Sequence, residues 1–379
     1  MTKPRSYLRR GVLSALAAAA LFGPAVSSGC AVNFSPPGKV STLRVIAVTA
    51  DKPYIEPIPA SECAQDPEKC TIHFDMEVYD ALGVAQTGSE RQINILWIGG
   101  CFNPEGDQYS LCLFPALDLF GQAKGALDDA IATGNPPEFP EGLPVGWGKK
   151  FSLVVPDIVS SRPPPTYGPH YGIGYVFFLA CAGKFGIKDA DPSAAGTFPI
   201  GCFDKDTGAE LGPESFVPGY TQIYSFEDGR QNQNPELTDV LLDGEPISAE
   251  FDEIPTVAPC DVPPDERNQP SSCTREDPFV ACTPLEIDVD VPDDIGEVDP
   301  DAKGEDGQPL KETVWVNYYT DTGDFESDIK LLSDATTGSF DKHSVQWLPP
   351  AEPGLATIWA VVRDSRGGSS VAVRYVRVE

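Results

Sequence analysis

One pattern recurs between Leu43 and Phe226 and again from Thr313 to Val376: a short run of β-branched and aromatic residues, then proline or glycine. In Cys70–Val78, the residues Ile72, Phe74, Met76 and Val78 alternate, which places them on one face of a strand. Leu43–Val48, Ile93–Ile98, Phe151–Val155, Tyr175–Leu179 and Thr221–Phe226 read as further strands, and the continuously apolar Ile93–Ile98 as a central one. Proline and glycine punctuate the chain too often for many long helices, with 38 and 35 copies among 379 residues. The prediction is a mainly β fold of sandwiches or barrels.

Six strands with Trp97 on the third resemble an immunoglobulin-like sandwich, in which a strand-C tryptophan fills the core. Length allows two or three domains. We place one elaborated immunoglobulin-like β-sandwich over about 40–230 and a second over 235–379. The first is nearly twice the usual length of about 100 residues. An insertion over about 102–150 accounts for part of this and carries a helix from Pro115 to Thr133, with Leu117, Phe120, Leu127 and Ile131 as its apolar stripe. A second insertion spans about 182–217. The stretch Asn234–Thr238 is expected to open a strand of the second module. Further strands there are Thr313–Tyr319, Val345–Pro350, Ala356–Val362 and Val371–Val376, with a glycine-bearing hairpin turn at Asp364–Gly368.

Residues 1–10 carry Lys3, Arg5, Arg9 and Arg10 and no acid, and residues 11–26 are uncharged. This is the layout of a signal peptide over 1–29, too short to span a bilayer, which takes about 20 apolar residues. Ser27-Ser28-Gly29-Cys30 resembles the lipobox of bacterial lipoproteins, with Ser27 at the usual aliphatic position and Val26 one place earlier. That resemblance implies a lipid on Cys30 and a tether over 30–39; ordinary cleavage near Ala25-Val26-Ser27 is the alternative. Leu43-Arg44-Val45-x-Ala47-Val48 at one end, and Trp347-x-x-Pro350 followed by Arg363-Asp364-x-Arg366-Gly367-Gly368 at the other, resemble uncharacterised bacterial envelope lipoproteins with immunoglobulin-like modules. The resemblance covers about half the chain. It implies that architecture and a place in the bacterial cell envelope, anchored to the outer membrane, and no catalytic residue; a secreted or periplasmic soluble form is the alternative.

Loss of the leader removes four basic residues, leaving 23 Lys and Arg against 57 Asp and Glu, a net charge of −34. Such a polyanion repels phosphate backbones, which excludes nucleic acid, and reaches a membrane only through its anchor. Six cysteines fall in the first module with loop-stapling spacing, predicting the bridges Cys63–Cys70, Cys101–Cys112 and Cys181–Cys202. Two of Cys260, Cys273 and Cys282 should pair in the second. No spacing suits zinc.

Asp288–Asp306 holds seven Asp and two Glu. Asp288, Asp290, Asp293, Asp294, Asp299 and Asp301 are the oxygen donors calcium would take, although an EF-hand counted from Asp299 meets Lys303 at its fifth position and Leu310 at its twelfth. Residues 299–309 read as a solvated loop. For ligand binding, Trp147, Phe203, Asp204 and Asp206 are the candidates, because alternate loops of a sandwich lie at one end. Hydrolase motifs are lacking: there is no His-Glu-x-x-His and no Gly-x-Ser-x-Gly, and Ser327-x-x-Lys330 stands alone. The chain reads as a non-enzyme with a structural or protein-contact role, its partners other envelope proteins or surface glycans. A substrate-binding lipoprotein for glycans or calcium is the alternative.

Overall fold

The computed structural model describes residues 36–133, 135–188, 200–262, 282–305 and 307–379. Cys30 and Cys273, and with them the leader and the lipobox, lie outside the described residues.

The first module contains β1 (Leu43–Ala50), β2 (Thr71–Asp80), β3 (Asn94–Phe102), β4 (Val145–Trp147), β5 (Lys150–Val154), β6 (Tyr171–Cys181), β7 (Lys184–Ile187), β8 (Ile200–Phe203) and β9 (Phe216–Phe226). Two sheets, β1-β2-β5 and β4-β3-β6-β9, face each other. In immunoglobulin terms these are A-B-E and C′-C-F-G. The chain after β1 then crosses to the second sheet, where Tyr54 bridges Tyr224 of β9 in parallel, as an A′ segment does beside strand G.

The second module contains β10 (Asp239–Leu242), β11 (Glu245–Pro246), β12 (Thr256–Val257), β13 (Leu285–Asp290), β14 (Val298–Lys303), β15 (Pro309–Lys311), β16 (Val314–Thr320), β17 (Asp324–Phe325), β18 (Ile329–Asp334), β19 (Gly338–Ser339), β20 (Val345–Leu348), β21 (Gly354–Asp364) and β22 (Ser369–Val378). The order is repeated: β10-β13-β20 forms one layer, β18-β16-β21-β22 the other, and β12 lies parallel to β22. Two mainly β, immunoglobulin-like sandwiches are therefore built on one plan.

Each sandwich closes over the alternating side chains. In the first, Trp97 is fully buried, stacks on Phe151 with ring centroids 5.6 Å apart, and donates its indole N–H to the Gly148 carbonyl at 2.8 Å. An aromatic side chain of this size removes about 150–250 Å² from water, a gross gain of about 4–6 kcal/mol. Gly146 makes room, since a Cβ there would stand 2.2 Å from the Phe151 ring. In the second, Trp347 fills the equivalent volume with Val240, Ile287, Val316 and Tyr318.

The helix runs Leu113–Thr133, two residues longer at its start than the apolar stripe suggested. Ala116, Phe120, Ala123, Leu127 and Ala130 are its buried residues, so three alanines let it lie close against the β4-β3-β6-β9 sheet. Leu117 is only half-buried, and the Ile131 side chain lies outside the described set.

Three further expectations are corrected. Residues 299–309 are not an open loop: β14 and β15 pair as a hairpin, Lys303 opposite Pro309. No strand opens at Asn234–Thr238; β10 begins at Asp239, because Asn234 is engaged elsewhere, donating its amide to the Ala50 carbonyl at 2.7 Å. Residues 38 and 39 of the tether predicted over 30–39, expected to be free chain, are bonded. Val40 donates to the Thr320 carbonyl at 2.8 Å and Thr320 to that of Gly38 at 2.9 Å, so the chain is pinned to the second module by residue 38.

Among the described residues four bridges close, Cys63–Cys70, Cys101–Cys112, Cys181–Cys202 and Cys260–Cys282. They are those of a chain that folds in an oxidising, extracytoplasmic compartment. Among the described residues no helix is long and apolar enough to cross a membrane.

The modules are joined by a core of their own. Val40, Ile46, Ala47 and Ala81 of the first bury against Tyr319, Trp359 and Val361 of the second. Polar contacts frame it: Ser369 to the Val48 carbonyl at 3.2 Å and Arg363 to that of Ile46 at 3.1 Å.

Candidate functional site

The four predicted ligand residues do not converge. Trp147 ends β4 half-buried, its ring edge-on to Phe185 at 6.0 Å. Phe185 pairs with Cys202 and points into the core, whereas Phe203 pairs with Lys184 and so turns to the other face of the hairpin, over Gly186 and Gly201. Asp204 closes its own turn, accepting from the Thr207 N–H at 2.7 Å and the Asp206 N–H at 3.1 Å. Those bonds, the Thr207 backbone first, hold its carboxyl below the usual range. Asp206 is simply exposed.

The six calcium candidates are likewise dispersed. Asp288 meets His343 at 2.5 Å and Asp301 meets Arg230, while Asp290 faces Asp239 at the end of the sheet. Among the described residues no group of three or more His, Cys, Asp or Glu is arranged to hold a metal ion.

What the fold does assemble is a tyrosine-rich face. On β9, Gly219, Thr221 and Ile223 alternate with Tyr220, Gln222 and Tyr224; the first set faces the space between the sheets, where a Cβ on Gly219 would meet the Phe178 ring at 2.3 Å. The second set shares the outer face with its β6 partners, Phe177 opposite Tyr220, Tyr175 opposite Gln222 and Tyr171 opposite Phe226. Tyr54 joins from the A′ segment, 5.0 Å from Phe226. Guanidinium groups cover its rim: Arg162 lies 4.6 Å over Tyr171, Arg230 4.6 Å over Phe226 and Arg366 5.3 Å from Tyr54.

Asp107 holds the upper end together. It accepts from Arg162 at 2.8 and 3.0 Å and from the Tyr171 hydroxyl at 2.7 Å, and its backbone carbonyl accepts from the Tyr175 hydroxyl at 2.6 Å. Burial alone would raise the Asp107 pKa, but the Arg162 and Tyr171 bonds outweigh it and keep the carboxyl below its ordinary value. Burial, reinforced by the neighbouring tyrosines, pushes the Tyr224 phenol up to about 12. Tyr54, Tyr171 and Tyr175 are shifted in the same direction, so with Tyr224 they are neutral donors and apolar surface at physiological pH.

The loop stapled by Cys101–Cys112 brings Tyr109 onto this face, stacked on Tyr220 at 4.6 Å. Both rings stay open to solvent, 45% and 41% exposed, as do Leu111 beside them in the loop and Phe114 at the helix start, the latter at 76%. Past Tyr220 the face runs into a slot of about 480 Å³ between the modules, lined by Pro53, Tyr54, Gln222, Trp315, Ser365 and Arg366.

A second cleft, about 710 Å³, contains Ser152, His73 and Lys150. His73 Nδ1 is 2.8 Å from the Ser152 hydroxyl and Nε2 is 3.0 Å from Glu68. The order resembles a serine–histidine–acid triad with the ring nitrogens exchanged: such triads place serine on Nε2 and the acid on Nδ1. Here Ser152 is the direct cross-strand neighbour of His73 and all three side chains are exposed, the arrangement of a polar ladder on an open sheet.

No family model matches the chain. No curated protein matches it. Among solved structures it is similar to the D0–D1 domain of intimin, with 11% identity and a TM-score of 0.18, over 88% of this chain and 98% of that one. It is also similar to Escherichia coli alpha-2-macroglobulin in its native conformation (10% identity, TM-score 0.19, 90% of this chain and 17% of that one). A third is dimeric latent PorU from Porphyromonas gingivalis (11% identity, TM-score 0.17, 89% of this chain and 24% of that one). The fold assignment rests on the strand order and pairing of this chain itself.

The signal for the tyrosine face is in the sequence. Tyr220-x-Gln222-x-Tyr224-x-Phe226 alternates with Gly219, Thr221, Ile223 and Ser225, and Tyr171-x-x-x-Tyr175-x-Phe177 does the same on the partner strand. Named only as strands, those runs yield no face; the alternation within them carries it.

Proposed function

We propose that this is an exported envelope protein, anchored through a lipid on Cys30, that works by protein contact through the aromatic face of its first module. The observation that supports this is the solvent-open group Tyr109, Leu111, Phe114 and Tyr220, held in place by a disulfide instead of being folded away. Exposed apolar surface of this kind marks interaction sites, and tyrosine is favoured at interfaces because one ring offers apolar area and a hydroxyl. A net charge of −34 on the chain without its leader steers it towards basic or neutral partners. A tether from residue 30 to residue 38, where the chain is first pinned, would extend at most about 29 Å and keep the body close to the bilayer. No reaction is assigned.

The test is a photo-cross-linking residue installed in living cells at Phe114, at Tyr220 and, as a control, at exposed Glu245. Discrete adducts at the first two and none at the third are expected. Equal capture at all three, or none at any, would refute the reading. The half-exposed Tyr109–Tyr220 stack also suits a sugar ring, so glycan-array binding lost in Tyr220→Ala would favour a glycan-binding protein instead.

A further inference from the structure

We infer that the outer edge of β9 accepts an extended strand from a partner protein, neutral or basic in character, laid into the slot between the modules. The inference rests on the protein-contact reading above and specifies how that contact is made.

Among the described residues β9 is paired along its length on one side only, by β6. Its pairing with β6 runs from Phe216 to Phe226 without a bulge, so residues alternate strictly between pointing their N–H and C=O groups at β6 and pointing them away. Tyr224 fixes the phase. Its carbonyl accepts from the Ile55 N–H at 2.9 Å and therefore points away from β6, as must those of Gln222, Tyr220 and Pro218. The A′ segment covers only the Tyr224 end; at the other end Leu43 donates to the Glu214 carbonyl. Between them, among the described residues, nothing pairs with the backbone N–H groups of Tyr220 and Gln222.

Pro218 obeys the same phase. A proline survives in a sheet where its missing N–H would have pointed outward, as it does here. From Pro218 to Gln222 the open edge is roughly 16 Å long at about 3.3 Å per residue, the length of a short strand.

The slot supplies the rest of the site. Across from the edge stand Trp315 of β16 and the turn Asp364–Gly367, with Pro53 and Tyr54 at one end. A strand added here would exchange main-chain hydrogen bonds with Tyr220 and Gln222 and offer alternate side chains to these rings, the division of labour in β-augmentation. Charge selects its character. Behind the slot the Arg366 guanidinium lies 3.3 Å from Glu297 and 3.5 Å from Glu312, and its backbone N–H donates to Asp364 at 2.8 Å, so the cation that lines the slot is already matched by acids of the same chain. An acidic strand would be repelled.

The probe is a random seven-residue peptide library displayed on phage and panned on the full mature chain, with counter-selection on Gln222→Pro. Pro218 shows that β9 tolerates proline at an outward position, and that substitution removes one edge donor without touching the β6 ladder. Enriched sequences free of Asp and Glu are expected, binding the wild type at least 10-fold more tightly than Gln222→Pro. N-methylation of one alternate set of peptide amides should abolish binding and of the other set leave it unchanged, and exchange of the Tyr220 and Gln222 amides should slow in the complex. Peptides that bind both chains equally, tolerate either methylation pattern, or fail to enrich on the wild type over the variant would overturn the inference. Should Gln222→Pro not fold, the paired methylation patterns on the wild type decide. If strand docking fails while cross-links at Phe114 and Tyr220 persist, the contact reading stands without it; if the cross-links fail too, both fall.

Discussion

The indole N–H of Trp359, on β21 of the second module, donates to the Glu77 carboxylate of β2 in the first at 3.2 Å. The ring is 1% exposed and packs against Tyr79 with centroids 4.9 Å apart, while the Tyr79 hydroxyl donates to Asp321 at 2.9 Å. A tryptophan on the outer face of one sandwich is thus buried by its neighbour, so the two sandwiches share a core.

Trp359→Ala should cost about 3–5 kcal/mol, since it empties a buried aromatic site. Its location predicts more than a loss of stability. Scanning calorimetry should show one transition in the wild type and two in the variant, as the modules melt separately. A single transition shifted down in temperature would mean that other contacts suffice to couple them.

Glu312 supplies a pH dependence. Its residue is 3% exposed, and burial pushes the carboxyl up to about 7; the Glu297 N–H and Arg366 pull the other way, while nearby Asp364 adds to the rise. The unfolded chain loses this proton near its ordinary value of about 4.3. Between those two values the native state binds a proton that the unfolded state does not, so stability falls as pH rises through the window. The total is roughly 4 kcal/mol. Glu312→Gln, neutral at every pH, should flatten the urea midpoint between pH 4.5 and 7 and raise it at pH 8. An unchanged slope would show that the carboxyl ionises normally. Asp80 and Asp107, both held below their ordinary values, act in the opposite sense, losing their contribution only as the solution becomes more acid.

Cys101 and Cys112 close a loop with a sequence separation of 11, for which chain entropy gives about 3 kcal/mol. The double change Cys101→Ala/Cys112→Ala should lower unfolding free energy by about that amount. It should also release Tyr109 from Tyr220, read as a loss of near-ultraviolet tyrosine dichroism at temperatures where far-ultraviolet dichroism is unchanged. Retention of the near-ultraviolet signal would show that packing alone holds the loop.

Metabolic labelling with palmitate should mark the wild-type protein and not Cys30→Ala. Label retained in the variant would remove the anchor from the proposed function and leave a soluble exported protein.

The strands were legible because their information is local. Alternation in Thr71–Asp80 reports one buried face whatever the partner strand is, and Trp97 between β-rich runs points to a sandwich core. The short cysteine spacings are legible for a similar reason, since a bridge over a few residues needs only the loop it closes.

The site was not local in that sense. Trp147 and Phe203 were grouped by the end of the sandwich on which they fall, but pairing within the β7–β8 hairpin sends Phe203 to the face opposite Phe185 and Trp147. The acidic run 288–306 carries enough oxygen atoms for calcium, yet His343 and Arg230, remote in sequence, engage Asp288 and Asp301. Composition counts donors; only packing aims them.

The amino-acid sequence by itself determined the mainly β class, the two sandwiches and the acidic surface, because period-two patterning, turn residues and charge are properties of short stretches. Tertiary structure alone decided that the sandwiches share a core at Trp359, and that β9 keeps one edge open beside Trp315. Both depend on which face meets which neighbour, and that is settled by contacts between residues hundreds of positions apart, such as Glu77 with Trp359.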